Sequence, residues 1–248
     1  MGLLIILAAA VTLAWLLWAI LPTCYHKYLR RHLLRRQNGA ERVLLLSFDD
    51  GPDPRYTPQL LDLLHEYGIP ANFFVSGSAA AAAPQLIHRM QEEGHCIGLH
   101  GYRHANQWLL GPKAAARELT TGLVVLRGLG IEPYAYRPPY GNLTLYTLWL
   151  LRKHNLRLTL WSVMAQDWRG DTAEAILQRL RRRCRPGSII CLHDGCAGTA
   201  VADSAAATIE ALRSFLPEMQ AAGYRFLRLS EIKRADDPCR TEVLYGEA

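Results

Sequence analysis

From Arg42 onward the chain repeats one pattern: a short, almost uninterrupted apolar run, then a stretch with helical spacing, then another apolar run. Strands that are apolar on both faces are buried on both faces, and a helix between successive strands of this kind builds a parallel sheet covered by helices. The strand candidates are RVLLLSF, ANFFVSG, CIGLH, the start of EPYAYRPPYG, RLTLWSV, GSIICLHD and RFLRLSEI. Between them, TPQLLDLLHEYG, APQLIHRMQEEGH, GPKAAARELTTGLVVLRGLG, TLYTLWLLRKHN, TAEAILQRLRRRC and ADSAAATIEALRSFLPEMQAAG read as helices. Thr57 is the expected N-cap of the first, and Gly68 its stop. The run AAAAAP, Ala79 to Pro84, reads as a loop leading into a helix. About seven such units are too many for a small open sheet, so a barrel-like α/β closure is predicted.

The first segment differs in kind. Gly2 to Leu21 carries no charged side chain and one polar one, Thr12, and is long enough to cross a bilayer as a helix. No Lys or Arg precedes it, as the basic start of a cleaved signal peptide would require, so an uncleaved single anchor is predicted. Lys27, Arg30, Arg31, Arg35 and Arg36 follow without an acid and supply five of the net +6 charges, leaving 6 − 5 = +1 for residues 37–248. A nearly neutral globular part argues against nucleic acid as a partner. The basic cluster reads instead as a segment resting on anionic headgroups, which by the positive-inside rule places the following domain on the cytoplasmic side. The expected organisation is an anchor at 1–22, a basic juxtamembrane segment at 23–41, a catalytic-size domain at 42–232 and a tail at 233–248. The six cysteines form no CxxC pair or regular framework, so neither a zinc knuckle nor a disulfide scaffold is expected. The arginines of RLRRRCR, Arg179 to Arg185, read as a solvated helix end.

In parallel α/β folds the working residues lie just past the carboxyl ends of strands. The unusual polar residues of this chain recur there: Asp49 and Asp50 after the first strand, His100 and His104 after the third, Arg137 after the fourth, Asp167 after the fifth and His193 after the sixth. Two imidazoles four residues apart, in HGYRH, can face one point if the segment coils into a helical turn. With an aspartate they complete a zinc-type ligand set with open positions. Two adjacent carboxylates at the end of a buried strand repel, and a cation relieves them; one can ligate while the other serves as a general base. Arg137, ahead of the stiff RPPYG segment, is placed to hold a carboxylate, and His193 is a candidate general acid.

Five ordered motifs, SFDDGPDP, HGYRH, RPPYG, QDW and LHD, together with YTPQLLDLLHEYGIPANFFVSG, resemble the polysaccharide deacetylases, the NodB-homology or carbohydrate esterase family 4 domain, over about residues 42 to 232. The resemblance implies a distorted (β/α)7 barrel of the NodB-homology type and metal-dependent removal of acetyl groups from N-acetylated sugars. It implies Asp49 as base, Asp50, His100 and His104 as ligands of a divalent metal (zinc, with cobalt an alternative), and Arg137 as the group that orients Asp49. His193 becomes the acid, held by Asp167. Tyr140 offers its backbone N–H to the oxyanion, and Pro139 and Trp168 belong to the sugar pocket. This chain departs from the family pattern at Met164, Cys191, Gly101 and Leu99, which bear on the shape of the acetyl and sugar pockets. The expected partners are an N-acetylated glycan of the chitooligosaccharide, peptidoglycan or exopolysaccharide type and a membrane. The alternatives are deacylation or deformylation of a lipid-linked sugar on the cytoplasmic face, and a non-catalytic carbohydrate-binding barrel.

Overall fold

The computed structural model describes residues 1–29, 42–196, 201 and 203–232. The arginines of the juxtamembrane segment from Arg30 onward and the expected tail at 233–248 lie outside the described residues. Helix α1 (Gly2–Tyr28) is long and apolar enough to cross a membrane, as the composition of its first twenty residues requires.

Strand β1 (Val43–Asp49) is buried along its whole length and is the axis of a parallel sheet. On one side it pairs with β7 (Ser188–His193) from Leu44 to Asp49. On the other it carries two short strands in succession: β8 (Arg225–Phe226) at Val43 and Leu44, then β2 (Asn72–Val75) at Ser47 to Asp49. Asn72 sits at this fork. Its side-chain amide donates to the Leu46 carbonyl at 3.0 Å and the Leu227 carbonyl at 3.3 Å and accepts from the Leu229 N–H at 2.6 Å, satisfying backbone groups that neither strand reaches.

The sheet runs β5-β4-β3-β2-β1-β7-β6, where β3 is Cys96–Leu99, β4 Ala135–Tyr136, β5 Arg157–Leu158 and β6 Val163–Met164. The expected single strand RLTLWSV is therefore two strands at opposite ends of the path. Five residue steps separate Leu158 from Val163, a reach of at most about 18 Å. Thr159 still donates its N–H to Tyr136 of β4, and Ser162 already donates to Ile189 of β7. The two edges must therefore face each other across a narrow gap, and the sheet curls into the distorted (β/α)7 barrel. Helices α2 (Thr57–Glu66), α3 (Gly77–Ala82), α4 (Pro84–Glu92), α5 (Pro112–Gly128), α6 (Leu145–Lys153), α7 (Ala173–Arg183) and α8 (Ser204–Ala221) complete the crossovers.

Strand alternation divides the core in two. Leu44, Leu46 and Phe48 pack outward into the main cluster with the helices, whereas Leu45 joins Phe74, Ala135, Ile189 and Leu229 in a smaller one inside the barrel. Residues two apart share a face. The inward series Leu45, Ser47, Asp49 on β1, Ala135, Arg137 after β4, and Ile189, Cys191, His193 on β7 thus climb from apolar to ionisable toward the carboxyl ends.

Three local expectations are corrected. AAAAAP does not begin as a loop: Gly77–Ala82 is helical, as the high helix propensity of alanine favours, and Pro84 opens the next helix. Tyr56, not Thr57, occupies the N-cap of α2; the Thr57 hydroxyl accepts from the Asp53 N–H and donates to Asp194 at 2.6 Å. His100 to His104 is not a helical turn but a bend with Gly101 at φ 84° and His104 at φ 56°. At the end of α7 the arginines are held locally: Arg179 pairs with Asp171, Arg181 with Glu218, and Arg183 donates to the Met164 carbonyl.

Candidate active site and metal centre

The inward series delivers Asp49 to the barrel mouth, with Arg137 beside it. The Arg137 Nη1 donates to Asp49 Oδ1 at 2.6 Å and to the Ser47 hydroxyl at 3.0 Å, and its Nε donates to the Thr159 carbonyl at 3.2 Å. The guanidinium lies 4.0 Å from the centroid of the Phe74 ring and is fully buried. Burial alone would raise the Asp49 carboxyl, but the Arg137 charge, aided by His100 and His193, outweighs it and holds the group below the usual carboxylate range. Asp49 is therefore an ionised, immobilised carboxylate. Its Oδ2 accepts a 3.3 Å hydrogen bond from the Cys191 thiol, which burial, reinforced by the Asp49 charge, keeps protonated.

Asp50, His100 and His104 converge on one point. Asp50 Oδ1 lies 3.2 Å from His104 Nε2 and 3.5 Å from His100 Nε2, yet it is buried and has no hydrogen-bond partner. His100 Nδ1 faces the Arg137 carbonyl at 2.6 Å. A carbonyl only accepts, so Nδ1 carries a proton and Nε2 is the nitrogen turned toward Asp50. Burial, with repulsion from His100 second, pushes His104 down to about 4, so it is neutral at neutral pH. Two imidazoles and a carboxylate with an orphaned oxygen are the donor set of a zinc-type cation, and the residues fit such an ion.

The acid side is built from β7 and the turn after β6. His193 Nδ1–H donates to Asp167 Oδ1 at 2.9 Å, while Asp167 Oδ2 accepts from the His193 N–H at 2.8 Å and the Thr208 hydroxyl at 2.9 Å. Burial opposes a charge on His193, but Asp167 overrides it and pushes the imidazole up to about 9. A protonated Nε2 is thus available at neutral pH. If His193 is the acid, it must carry its proton to act, and the alkaline limb of the rate profile is expected to fall as pH rises through the His193 pKa. Asp167→Asn removes the charge that raises it, and the limb is expected to move to lower pH by roughly one to three units. An unmoved limb in a pH–rate profile would contradict the pairing.

The remaining expected residues take different places. Tyr140 stands at φ 60° with its ring edge-on to His104, centroids 4.7 Å apart. Pro139 is buried in the same short turn, and Trp168 is half-buried on the turn that carries Asp167. Asp50, His104, Tyr140 and Gln166 all hold positive φ around this mouth, where stored backbone strain is common at working sites. Cys191 borders Asp49, and Met164 sits beside it in register.

Several residues escaped the sequence reading. Ser47 supports Arg137, Thr208 supports Asp167, and Asp194 buries its carboxyl against Thr57 and Gly51. Burial pushes the Asp194 carboxyl up to about 7. A side chain at Gly51 would run into that carboxyl, and one at Gly195 would come within 2.7 Å of the Gly51 nitrogen, so both glycines are demanded by close approach. Ser47 was detectable as the one polar residue inside an apolar strand; Thr208 offered only a hydroxyl on a helix's apolar face.

The end of α1 also reaches the mouth. The Thr23 hydroxyl donates to the Leu143 carbonyl at 2.9 Å and accepts from the Leu143 N–H at 3.0 Å and the Trp108 indole at 3.1 Å. Trp15 meets Trp108 edge-on, centroids 5.7 Å apart, and Lys27 donates to the Tyr140 carbonyl at 3.0 Å.

Comparison with known proteins agrees on one lineage. The sequence model described as polysaccharide deacetylase matches residues 36–159. A peptidoglycan-N-acetylglucosamine deacetylase of Bacillus cereus is 32% identical over 196 residues, covering 78% of this chain and 89% of the relative. A chitooligosaccharide deacetylase of Sinorhizobium fredii is 36% identical over 200 residues, covering 78% and 93%. A solved peptidoglycan N-acetylglucosamine deacetylase superposes with a TM-score of 0.72 at 29% identity, covering 80% of this chain and 91% of that one.

Proposed function

The chain belongs to the polysaccharide deacetylase family, hydrolases of the amide bonds of acetylated sugars, and from that premise we propose a membrane-anchored, metal-dependent N-deacetylase acting on an N-acetylglucosamine-containing glycan. The observation that carries the reading is the buried, partnerless Asp50 oxygen facing the Nε2 atoms of two imidazoles, with an ionised Asp49 next to it. A divalent cation held by Asp50, His100 and His104 would lower the pKa of a water and polarise the acyl carbonyl.

The chain's own residues do the rest. Asp49, kept ionised by Arg137, takes the proton of the attacking water as the C–O bond forms. The Tyr140 N–H binds the carbonyl oxygen as negative charge grows on it. His193 gives its Nε2 proton to the sugar nitrogen as the C–N bond breaks, and Asp167 stabilises the cation before that transfer. Acetate and a free amino sugar leave. Cys191, hydrogen-bonded to Asp49, and Met164, its register partner on β6, shape the acyl end of the pocket.

A second reading concerns where the glycan sits. Because α1 docks on the mouth itself through Thr23 and Trp108, a sugar attached to a lipid is presented to the site directly, on the cytoplasmic side if the basic segment after α1 holds the domain there.

The test is acetate release by the full-length protein in detergent micelles, on chitooligosaccharides, peptidoglycan fragments and an N-acetylated glycolipid, with zinc and with chelator. Chelator-sensitive release from the free oligomers supports the first reading, and release from the glycolipid alone supports the second. A bound metal with no acetate from any of them would overturn the deacetylase reading. Sealed vesicles report sidedness: release only from right-side-out vesicles would overturn the cytoplasmic placement.

A further inference from the structure

Lys27 is 113 residues from Tyr140 in sequence, yet its Nζ donates to the Tyr140 carbonyl and lies 5.2 Å from the centre of the Trp161 ring. Trp161 is also within 5.8 Å of the Arg137 guanidinium, so the lysine enters the same wall that holds the Asp49 partner. The fit is close: a β-carbon at Gly141 would come within 3.2 Å of the ammonium. The contact is not a lone surface hydrogen bond, because the Thr23 bonds and the Trp15–Trp108 pair fix the same helix end on the same loops.

Tyr140 needs such a contact. Its φ of 60° is unfavourable for a residue with a β-carbon and persists only where surroundings impose it. Within the turn, the Gly141 N–H closes on the Pro138 carbonyl at 2.8 Å and the Asn142 N–H on the Pro139 carbonyl at 3.1 Å. The Tyr140 carbonyl is gripped from outside the turn, by the lysine. Fixing that carbonyl fixes the peptide plane after Tyr140, and through the Tyr140 φ and ψ it restrains the preceding peptide, which carries the Tyr140 N–H.

We propose that the N-terminal helix is a working part of the active site, and that Lys27 on its last turn is a positioning residue that locks the Tyr140 peptides for catalysis. The proposal rests on the deacetylase reading for the use of the Tyr140 N–H, but not for the lock itself. A side chain on the anchor thereby helps assemble the pocket, and the catalytic domain without α1 has a looser oxyanion site. The expected loss is smaller than the 10²–10³ that follows deletion of an oxyanion donor, because the donor remains and only its aim is lost.

The test uses the full-length protein with Lys27→Met, which keeps the stem over Trp161 and removes the donor, and Lys27→Arg, which keeps a donor. Lys27→Met should lower kcat on the order of tenfold, with KM moving by less than about threefold, since the interaction acts in the transition state. Lys27→Arg should fall by less. Amide hydrogen exchange should speed up at residues 139–142 in Lys27→Met while β1 stays protected. Unchanged exchange at 139–142, a kcat within twofold of wild type, or equal losses in both variants would overturn the proposal. If Lys27→Met also loses protection in β1, the Arg variant decides, and wild-type exchange with wild-type kcat there supports a donor role. If the wild-type protein releases no acetate, the deacetylase reading fails, and the exchange measurement still decides whether Lys27 holds the turn.

Discussion

Asp49→Asn is expected to abolish acetate release, by a factor on the order of 10³ or more, while leaving bound metal at wild-type stoichiometry. The carboxamide keeps the shape and an oxygen for Arg137, so the 2.6 Å contact survives as a weaker, charge-to-dipole hydrogen bond. What disappears is the acceptor for a water proton. The Arg137 charge is then buried without its counter-charge, so the variant should melt earlier; a cost of about 1–3 kcal/mol is typical for weakening a buried charged hydrogen bond. Acetate release, metal analysis and a melting curve on one preparation separate these effects. Wild-type turnover in the variant would sink the base assignment, and loss of metal with activity would move Asp49 into the ligand set.

The second large effect is expected from His100→Ala. His100 is the ligand candidate whose tautomer is fixed by the fold, through the Arg137 carbonyl, and whose Nε2 lies between Asp50 at 3.5 Å and Asp49 at 3.9 Å. Its removal leaves one imidazole and one carboxylate, too few for a stable site in competition with water. Metal affinity should fall by more than the roughly 10–100-fold seen when only a supporting residue is changed, and activity should fall with it. Tight, stoichiometric metal in this variant would show that the ion lies elsewhere, and the Asp49, Cys191 and His193 group would become the next place to look.

These two experiments probe residues that the sequence brought into view because chemistry and fold coincide at strand ends. The alternation of apolar runs with helices was enough to foresee a curled parallel sheet, and Asp49, Asp50, His100, His104, Arg137, Asp167 and His193 each fall at its carboxyl edge. Three things were illegible for physical reasons. RLTLWSV has the composition of one strand, and only the pairing of its halves with β4 and β7 reveals that it crosses the seam. The histidine pair converges through positive φ at Gly101 and His104, a conformation that side-chain spacing does not encode. Lys27 was submerged in a run of basic residues that headgroup binding explains equally well, and its contact with Tyr140 depends on the docking of a helix that periodicity alone cannot aim.

If α1 is the membrane anchor proposed above, that docking turns it into a ruler. Lys27 lies six residues beyond Leu21, where the apolar run ends, a rise of about 9 Å along the same helix. With the helix end bonded to the mouth rather than joined to it by a slack tether, the reacting carbonyl would stand at one altitude above that bilayer. A glycan rooted in a lipid would then be modified at a constant count of sugar units from its root, whatever its total length, and units nearer or farther would pass unread.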